Sequence, residues 1–235
     1  MKRLFIAGVL AGSLVAPAPA QDLNVAEVVV TGNRIDQDDY SDEMPAVGLR
    51  RPADFLVQQV IIRGDTRDET QRRREIYSML EGAVKGAAAS GVELSYGSYI
   101  LSPLTPENFD ELELQRDNRP DSERLDFLVK VRLSERMNAQ QARAAVERYV
   151  DAVPEVGRAQ LDSWGDSTLS MVGPDSYRSQ IAAIVAEDAR QMATTMGDGY
   201  AVEVEGLNMP VQWVRSGPSE VMLYIPYKLA IVPRP

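Results

Sequence analysis

The sequence contains neither cysteine nor histidine among its 235 residues. Without cysteine no disulfide can form, so packing has to stabilise the fold. Without histidine the chain lacks the commonest general base and the commonest transition-metal ligand. Serine–histidine catalysis, cysteine–histidine catalysis and histidine-based zinc sites are therefore excluded. We expect a protein that is not an enzyme, with no catalytic residue, no cofactor and no metal ligand.

Basic residues are scarce relative to acidic ones. The chain has 25 lysines and arginines against 35 aspartates and glutamates, a formal net charge of −10. Such a charge disfavours binding to nucleic acid or to an anionic membrane face, and it favours solubility.

The N-terminus has the three parts of a cleavable secretory signal peptide. A basic start, Lys2-Arg3, is followed by an apolar run over residues 4–15 and by small residues up to Ala20. The apolar run is too short to span a bilayer. We predict that residues 1–20 are a signal peptide cleaved after Ala20, and that the product acts in the periplasm of a Gram-negative bacterium, free or associated with the outer membrane.

Cleavage at this site would change the length and the charge of the chain. It leaves 215 residues (235 less 20), enough for one substantial core or two small ones. It removes Lys2 and Arg3, so the net charge changes from −10 to −12. No cysteine follows the cut to carry a lipid, and no later apolar stretch has spanning length, so we expect no membrane segment in the product.

Residues 21–52 are predicted to form a short strand and an acidic linker. The β-prone run at 27–32 ends in glycine, and the segment 36–43 has almost no apolar content. Its alternating aspartates are typical of a calcium loop. The central glycine and terminal glutamate of an EF-hand loop are missing, however, so we favour a solvated linker.

Residues 53–235 alternate between strand and helix patterns and are predicted to form one α+β domain. Helices are expected to open at Thr66, at Asn138 and near Asp175. This order of elements fits a mixed, mainly antiparallel sheet with amphipathic helices on one face. Each half of the domain pairs an amphipathic helix with strands, which suggests a pseudo-repeat. The predicted strands cover residues 53–65, 92–104, 125–133, 158–173, 200–205 and 221–232. In the strand 125–133 apolar residues alternate with Asp126, Lys130 and Arg132, and Leu128 is the one apolar exception, so one face is expected to be buried and the other solvated.

Two pairs of carboxylates are candidates for acid–base chemistry: Asp162 with Asp166, and Glu203 with Glu205. We favour solvated strand faces for them. Three methionines, Met192, Met196 and Met209, could supply soft ligands to copper. The first two fall on the apolar stripe of the third helix, which favours core packing. The turn 197–199 lacks the glycine spacing of a phosphate loop and is interpreted as a helix end.

Trp164 and Trp213 each lie near a glycine and could anchor a partner, although core packing is an equal alternative. Arg67 and the arginines at 72–74 could bind an anion. We favour a solvated helix face on which they pair with nearby acids.

Six stretches of the chain carry a resemblance to a known family through their order. They are 28–32, the Pro-Ala-Asp at 52–54, 87–92, 99–103, the alanine-rich helix from Tyr177 to Gly197, and 220–227. In this order they resemble SIMPL-domain proteins, a family of bacterial periplasmic and outer-membrane-associated proteins. The resemblance implies a mixed sheet with helices on one side and ring-like oligomers, and it implies no enzyme activity. The acidic insertion at 36–51 and the segment 154–175 depart from the family pattern.

Residues 26–35 instead resemble the start of mature TonB-dependent receptors. The membrane-spanning body of such a receptor needs about twenty strands of about ten residues, more than this chain can supply.

Three functions remain open. The first is a non-enzymatic envelope protein that assembles with itself or mediates interactions. The second is a periplasmic module that binds a ligand or peptide. The third is an accessory fragment related to the receptors.

Overall fold

The structure, a computed structural model, describes residues 26–30 and 47–234. The predicted signal peptide, the acidic segment 36–43 and the receptor-like stretch beyond Val30 lie outside the described residues. None of the described helices is long and apolar enough to cross a membrane. The elements are β1 Glu27–Val30, β2 Leu49–Pro52, β3 Phe55–Gly64, α1 Glu69–Ala87, β4 Glu93–Tyr96, β5 Ile100–Pro103, β6 Gln115–Arg116, β7 Glu123–Arg132, α2 Ala139–Ala152, β8 Gln160–Val172, α3 Arg178–Met196, β9 Tyr200–Glu205, β10 Gln212–Arg215, β11 Glu220–Tyr224 and β12 Lys228–Pro233.

The fold is α+β, as predicted, and every strand pairing among the described residues is antiparallel. The main sheet closes on itself. Its order is β3-β8-β1-β5-β4-β7, and β7 pairs again with β3, while β6 is attached to β7. Closure gives the strands an inner face, which the sequence did not indicate.

The helices α1 and α2 cover the outer face of β3, β4 and β7. Alternate residues of β3, such as Val60 and Ile62, join Leu80 of α1 and Val146 of α2 in one buried apolar cluster. The capping box predicted at Asn138 and Gln141 is present. The first helix instead begins after Asp68, whose side chain accepts from Gln71 N, so the predicted cap at Thr66 is wrong.

A second layer covers β1 and β8. It consists of α3 and a three-stranded sheet in the order β10-β11-β2. Its core joins Val28 and Met171 of the ring to Ile181 of α3 and to Leu223 of β11. Both β1 and β2, from the segment preceding residue 53, therefore pair with strands of the rest of the chain.

The strand predicted over 221–232 is wrong. The chain forms β11 and β12 in two different sheets, with Ile225, Pro226 and Tyr227 between them. Proline cannot donate to a strand ladder, which is consistent with a break at this point. The strand predicted over 92–104 is likewise two strands, joined by a tight turn at Gly97, whose φ is +115°.

The ribbon formed by β9 and β12 pairs with no other described strand and packs against α3. We call this ribbon, together with residues 187–196 of α3, the apolar arm. Met192 and Met196 were predicted to pack in the core, but they are 41% and 43% exposed, so that prediction is wrong. The buried stripe of α3 ends at Ala189, before these methionines.

Candidate functional site: the Trp164 cleft

A cleft of about 550 Å³ opens where β3 ends and where β7 and β8 begin. Its charged side chains come from three separate stretches of sequence, which the antiparallel register brings to one edge of the ring. We call it the Trp164 cleft. It is lined by Arg63, Gly64, Asp65, Asp117, Asn118, Arg119, Ser122, Gly157, Arg158, Gln160, Asp162 and Trp164.

Arg63 organises one side of the cleft. Its Nε lies 3.6 Å from Asp117 Oδ2, and its Nη1 lies 3.7 Å from Asp162 Oδ2. The guanidinium also stacks over the Trp164 ring, 5.0 Å from the ring centroid. Such stacking fixes the orientation of both planar groups.

Arg158 and Asp65 form a bidentate pair on the other side. Arg158 Nε and Nη2 donate to the two carboxylate oxygens over 2.6 and 2.9 Å. This hydrogen bonding lowers the pKa of Asp65 below its usual range and raises the pKa of Arg158. Both side chains are exposed, so the pair orients the cleft wall more than it stabilises the fold.

Glu75 of α1 holds the segment that carries Arg158 in place. Its carboxylate accepts from Thr66 Oγ1 at 2.6 Å, from Gln71 Nε2 at 2.8 Å and from the backbone N of Arg158 at 3.2 Å. Gly157 lies against it with φ +61°, and a Cβ there would come within 2.3 Å of the carboxylate. A residue with a side chain at position 157 would collide with the Glu75 carboxylate, so this position requires glycine.

Glu75 should make stability depend on pH in the acid range. Its hydrogen bonds, first that of Thr66, hold its pKa below the usual 4.5. On acidification the unfolded state binds the proton first, so this contribution is present above 4.5 and is lost as the pH falls through the lowered pKa. In urea unfolding, the stability advantage of wild type over Glu75→Gln should therefore shrink as the pH falls. Ser78→Ala, at an exposed residue of the same helix that carries no titratable group, should show no such trend. An advantage independent of pH would contradict this role.

Trp164 is presented by a bulge in β8. Val57 pairs with Thr168 and Gln59 with Trp164, so residues 165–167 lie opposite Gln58 alone. The buried Gln58 side chain fills this irregularity, donating from Nε2 to Trp164 O at 2.9 Å and to Gly165 O at 3.1 Å. Bulges of this kind redirect a side chain.

The two predicted carboxylate pairs have different outcomes. Asp162 lines the Trp164 cleft, whereas Asp166 lines a separate cavity of about 290 Å³ with Gln59, Asp126 and Thr168. The structure therefore does not bring Asp162 and Asp166 into one site. Glu203 and Glu205 are both exposed on one face of β9, as favoured.

The other candidates also separate. Met209 lies in the loop before β10, where its carbonyl oxygen accepts from Arg178 at the start of α3, whereas the other two methionines lie near the end of that helix. Trp213 is half-buried, stacks on Tyr99 at a centroid distance of 5.6 Å and donates to Val29 O, so it packs within the fold. Arg72 pairs with an acid as favoured, Glu123 over 2.8 Å, but it is buried and not solvated. Arg73 lies 3.7 Å from the same carboxylate and is exposed, as are Arg67 and Arg74.

Inside the ring lies a buried ion pair that sequence reasoning missed. Lys130 of β7 donates to Glu27 of β1, and Ser170 of β8 donates to the other oxygen of Glu27 over 2.5 Å. Lys130 also lies 4.2 Å from the centroid of the Phe55 ring and 3.6 Å from Glu93. The alternation in β7 predicted one solvent-exposed face, but because the ring closes, Lys130 on that face is buried.

Most residues of the Trp164 cleft carried no signal in the sequence. Asp65, Asp117 and Arg158 each stand in a turn-rich stretch and match no motif. Only Asp162, as a member of a carboxylate pair, and Trp164 beside Gly165 drew attention. The φ of +66° at Gly165 accounts for that glycine in the bulge.

No family model and no curated protein matches this chain. Among solved structures, a hydrolase from Listeria innocua aligns with this chain at 13% identity and a TM-score of 0.15. The alignment covers 82% of this chain and 96% of the hydrolase chain. An uncharacterized conserved protein from Listeria innocua gives 15% identity and a TM-score of 0.15, with 77% and 91% covered. Similarity this low supports no conclusion about fold or activity.

Proposed function

We propose that this chain is an exported, non-enzymatic protein of SIMPL-like type that works in the periplasm by associating with a second copy of itself. The observation that carries the proposal is the apolar arm. Four of the eight large apolar side chains that are exposed among the described residues lie on it. They are Met192, Met196, Tyr200 and Ile231, each 41–45% exposed.

One face of the β9–β12 ribbon consists entirely of apolar residues. The register aligns Val204 with Leu229, Val202 with Ile231, and Tyr200 with Pro233. Although α3 packs against β9, Val202, Val204 and Leu229 remain only half-buried. A two-stranded ribbon is marginally stable alone in water, and further cover for this face would stabilise it.

The open edges of the ribbon favour a second copy as that cover. Each of its strands pairs only with the other among the described strands, which leaves one unpaired edge apiece. A second β9 at the β9 edge would bring Glu203 and Glu205 close to their own copies, which like charges disfavour. The sequence of β12 carries one charge, Lys228. Antiparallel pairing of β12 with its copy is therefore the two-fold contact that we expect.

The proposal is tested by substituting Ile231→Lys and measuring mass by light scattering. The wild-type protein should form dimers or larger assemblies, and the variant should fall to the mass of one chain, because a buried lysine without a partner opposes association. Val172→Lys, a change at a 40% exposed valine outside the arm, should leave assembly unchanged. A monomeric wild type, or equal assembly of both variants, would overturn the proposal.

The proposed export and cleavage after Ala20 can be tested separately. Produced with its own N-terminus in a Gram-negative host, the protein should appear in the periplasmic fraction with Gln21 as its first residue. Ala20→Glu should block this processing, whereas Asn24→Glu should not. N-terminal sequencing checks the cut, and a periplasmic protein retaining residues 1–20 would contradict it.

A further inference from the structure

We infer that the Trp164 cleft is a binding site for an uncharged saccharide chain. This inference is independent of the proposed self-association, because the cleft and the apolar arm share no residue. The argument rests on the presentation of Trp164, on the charge balance of the lining and on the way the cleft is held in shape.

The exposed position of Trp164 in the cleft costs part of the regular hydrogen-bond ladder of β8. The side chain is 47% exposed in a concave and otherwise polar site. Presenting it requires three consecutive residues of β8 outside the regular ladder and a buried glutamine committed to their carbonyl groups. Arg63 covers part of the indole, and the part that stays exposed would be stabilised only by a ligand that covers it. Because Arg63 stacks on the ring, the ligand meets an aromatic plane whose orientation is already fixed.

The charged lining is balanced, which selects the class of ligand. Three arginines and three aspartates line the cleft, so its formal charge is zero. Arg63 is shared by Asp117 and Asp162, and Arg158 is bidentate to Asp65. An anion would compete with the three aspartates for the arginines, and a cation would compete with the three arginines for the aspartates, so the balanced lining favours neither sign of ligand.

Hydroxyl groups avoid this conflict because each one both donates and accepts. Guanidinium groups offer donors, carboxylates offer acceptors, and Asn118 and Gln160 offer both. The apolar C–H face of a sugar ring matches the exposed indole. The volume of about 550 Å³ lies within the range of small-molecule sites. A neutral saccharide therefore satisfies the aromatic and the polar walls together.

The test uses the full chain and three neutral trisaccharides: triacetylchitotriose, cellotriose and maltotriose. Inorganic phosphate and putrescine serve as the anionic and cationic probes. Binding is measured by calorimetry and by tryptophan fluorescence, which reports only Trp164 and Trp213. At least one trisaccharide should bind with a Kd below about 10 mM and change the fluorescence, while neither ion should compete.

The variants separate stacking from folding. Trp164→Ala should weaken binding about tenfold or more, Trp164→Phe should weaken it less because a ring remains, and Gln58→Leu should weaken it by releasing the bulge. Tyr99→Ala, at a 53% exposed aromatic outside the cleft, should leave the affinity unchanged. Thermal melting confirms that each variant is folded. The inference is overturned if no trisaccharide binds, if Trp164→Ala binds like wild type, or if phosphate or putrescine displaces the sugar.

Discussion

Glu27→Gln should lower the free energy of unfolding by about 3 kcal/mol, because it leaves the Lys130 ammonium buried without its main partner. The lysine side chain is 7% exposed and that of Glu27 is 13% exposed, so water solvates neither well. Removing one member of a buried pair costs about 3–5 kcal/mol, and Glu93, 3.6 Å from Lys130 Nζ, places the loss at the lower end.

The ring provides a matched control in Glu93→Gln. It makes the same chemical change at a carboxylate that contacts the same lysine but is 51% exposed, so its cost should be about 0–1 kcal/mol. The double variant Glu27→Met with Lys130→Met should recover most of the loss, because no buried charge remains. Urea unfolding measures all three. Equal losses for Glu27→Gln and Glu93→Gln would show that the pair is not buried as described.

The Glu27–Lys130 ion pair could not be predicted from the sequence, although the strand that carries Lys130 could. The alternation of residues 125–133 correctly predicted a strand with one apolar face, because a period of two is a local property. It assigned Lys130 to solvent, since nothing local says that β7 pairs with both β3 and β4 and that the ring closes through β1. Leu128, the apolar exception in that alternation, lies on the inner face and lines the cavity of about 290 Å³ that also contains Asp166.

The start of α2 was predictable for a similar reason. The Asn138–Gln141 capping box needs only four consecutive residues, and it formed as expected. The Trp164 cleft needs Asp65, Asp117 and Arg158 to converge through long-range register, which no spacing in the chain encodes. Thr66 illustrates the conflict between the two levels: its hydroxyl was expected to cap α1 but bonds to Glu75 in the wall behind the cleft.

Tyr149→Ala should lower the free energy of unfolding by about 3–5 kcal/mol, which is the range for truncating a buried aromatic residue. Tyr149 on α2 is 2% exposed, and its hydroxyl donates to Ala83 O of α1 over 2.8 Å. The side chain therefore joins the two helices that cover the ring. Tyr149→Phe keeps the ring packed and removes the hydrogen bond, so it should cost about 1 kcal/mol. Tyr99→Ala, at an exposed tyrosine, should cost clearly less than Tyr149→Ala.

The same hydroxyl should make the protein sensitive to alkali. Burial raises the pKa of Tyr149 above its usual 10.0. Above pH 10 the unfolded chain releases this proton while the folded chain retains it, so stability present below that pH is lost as the pH rises towards the raised pKa. The stability of wild type relative to Tyr149→Phe, measured by urea unfolding, should therefore fall above pH 10. A constant difference would mean that the Tyr149 hydroxyl is not held between the two helices, because a solvated phenol would ionise equally in both states.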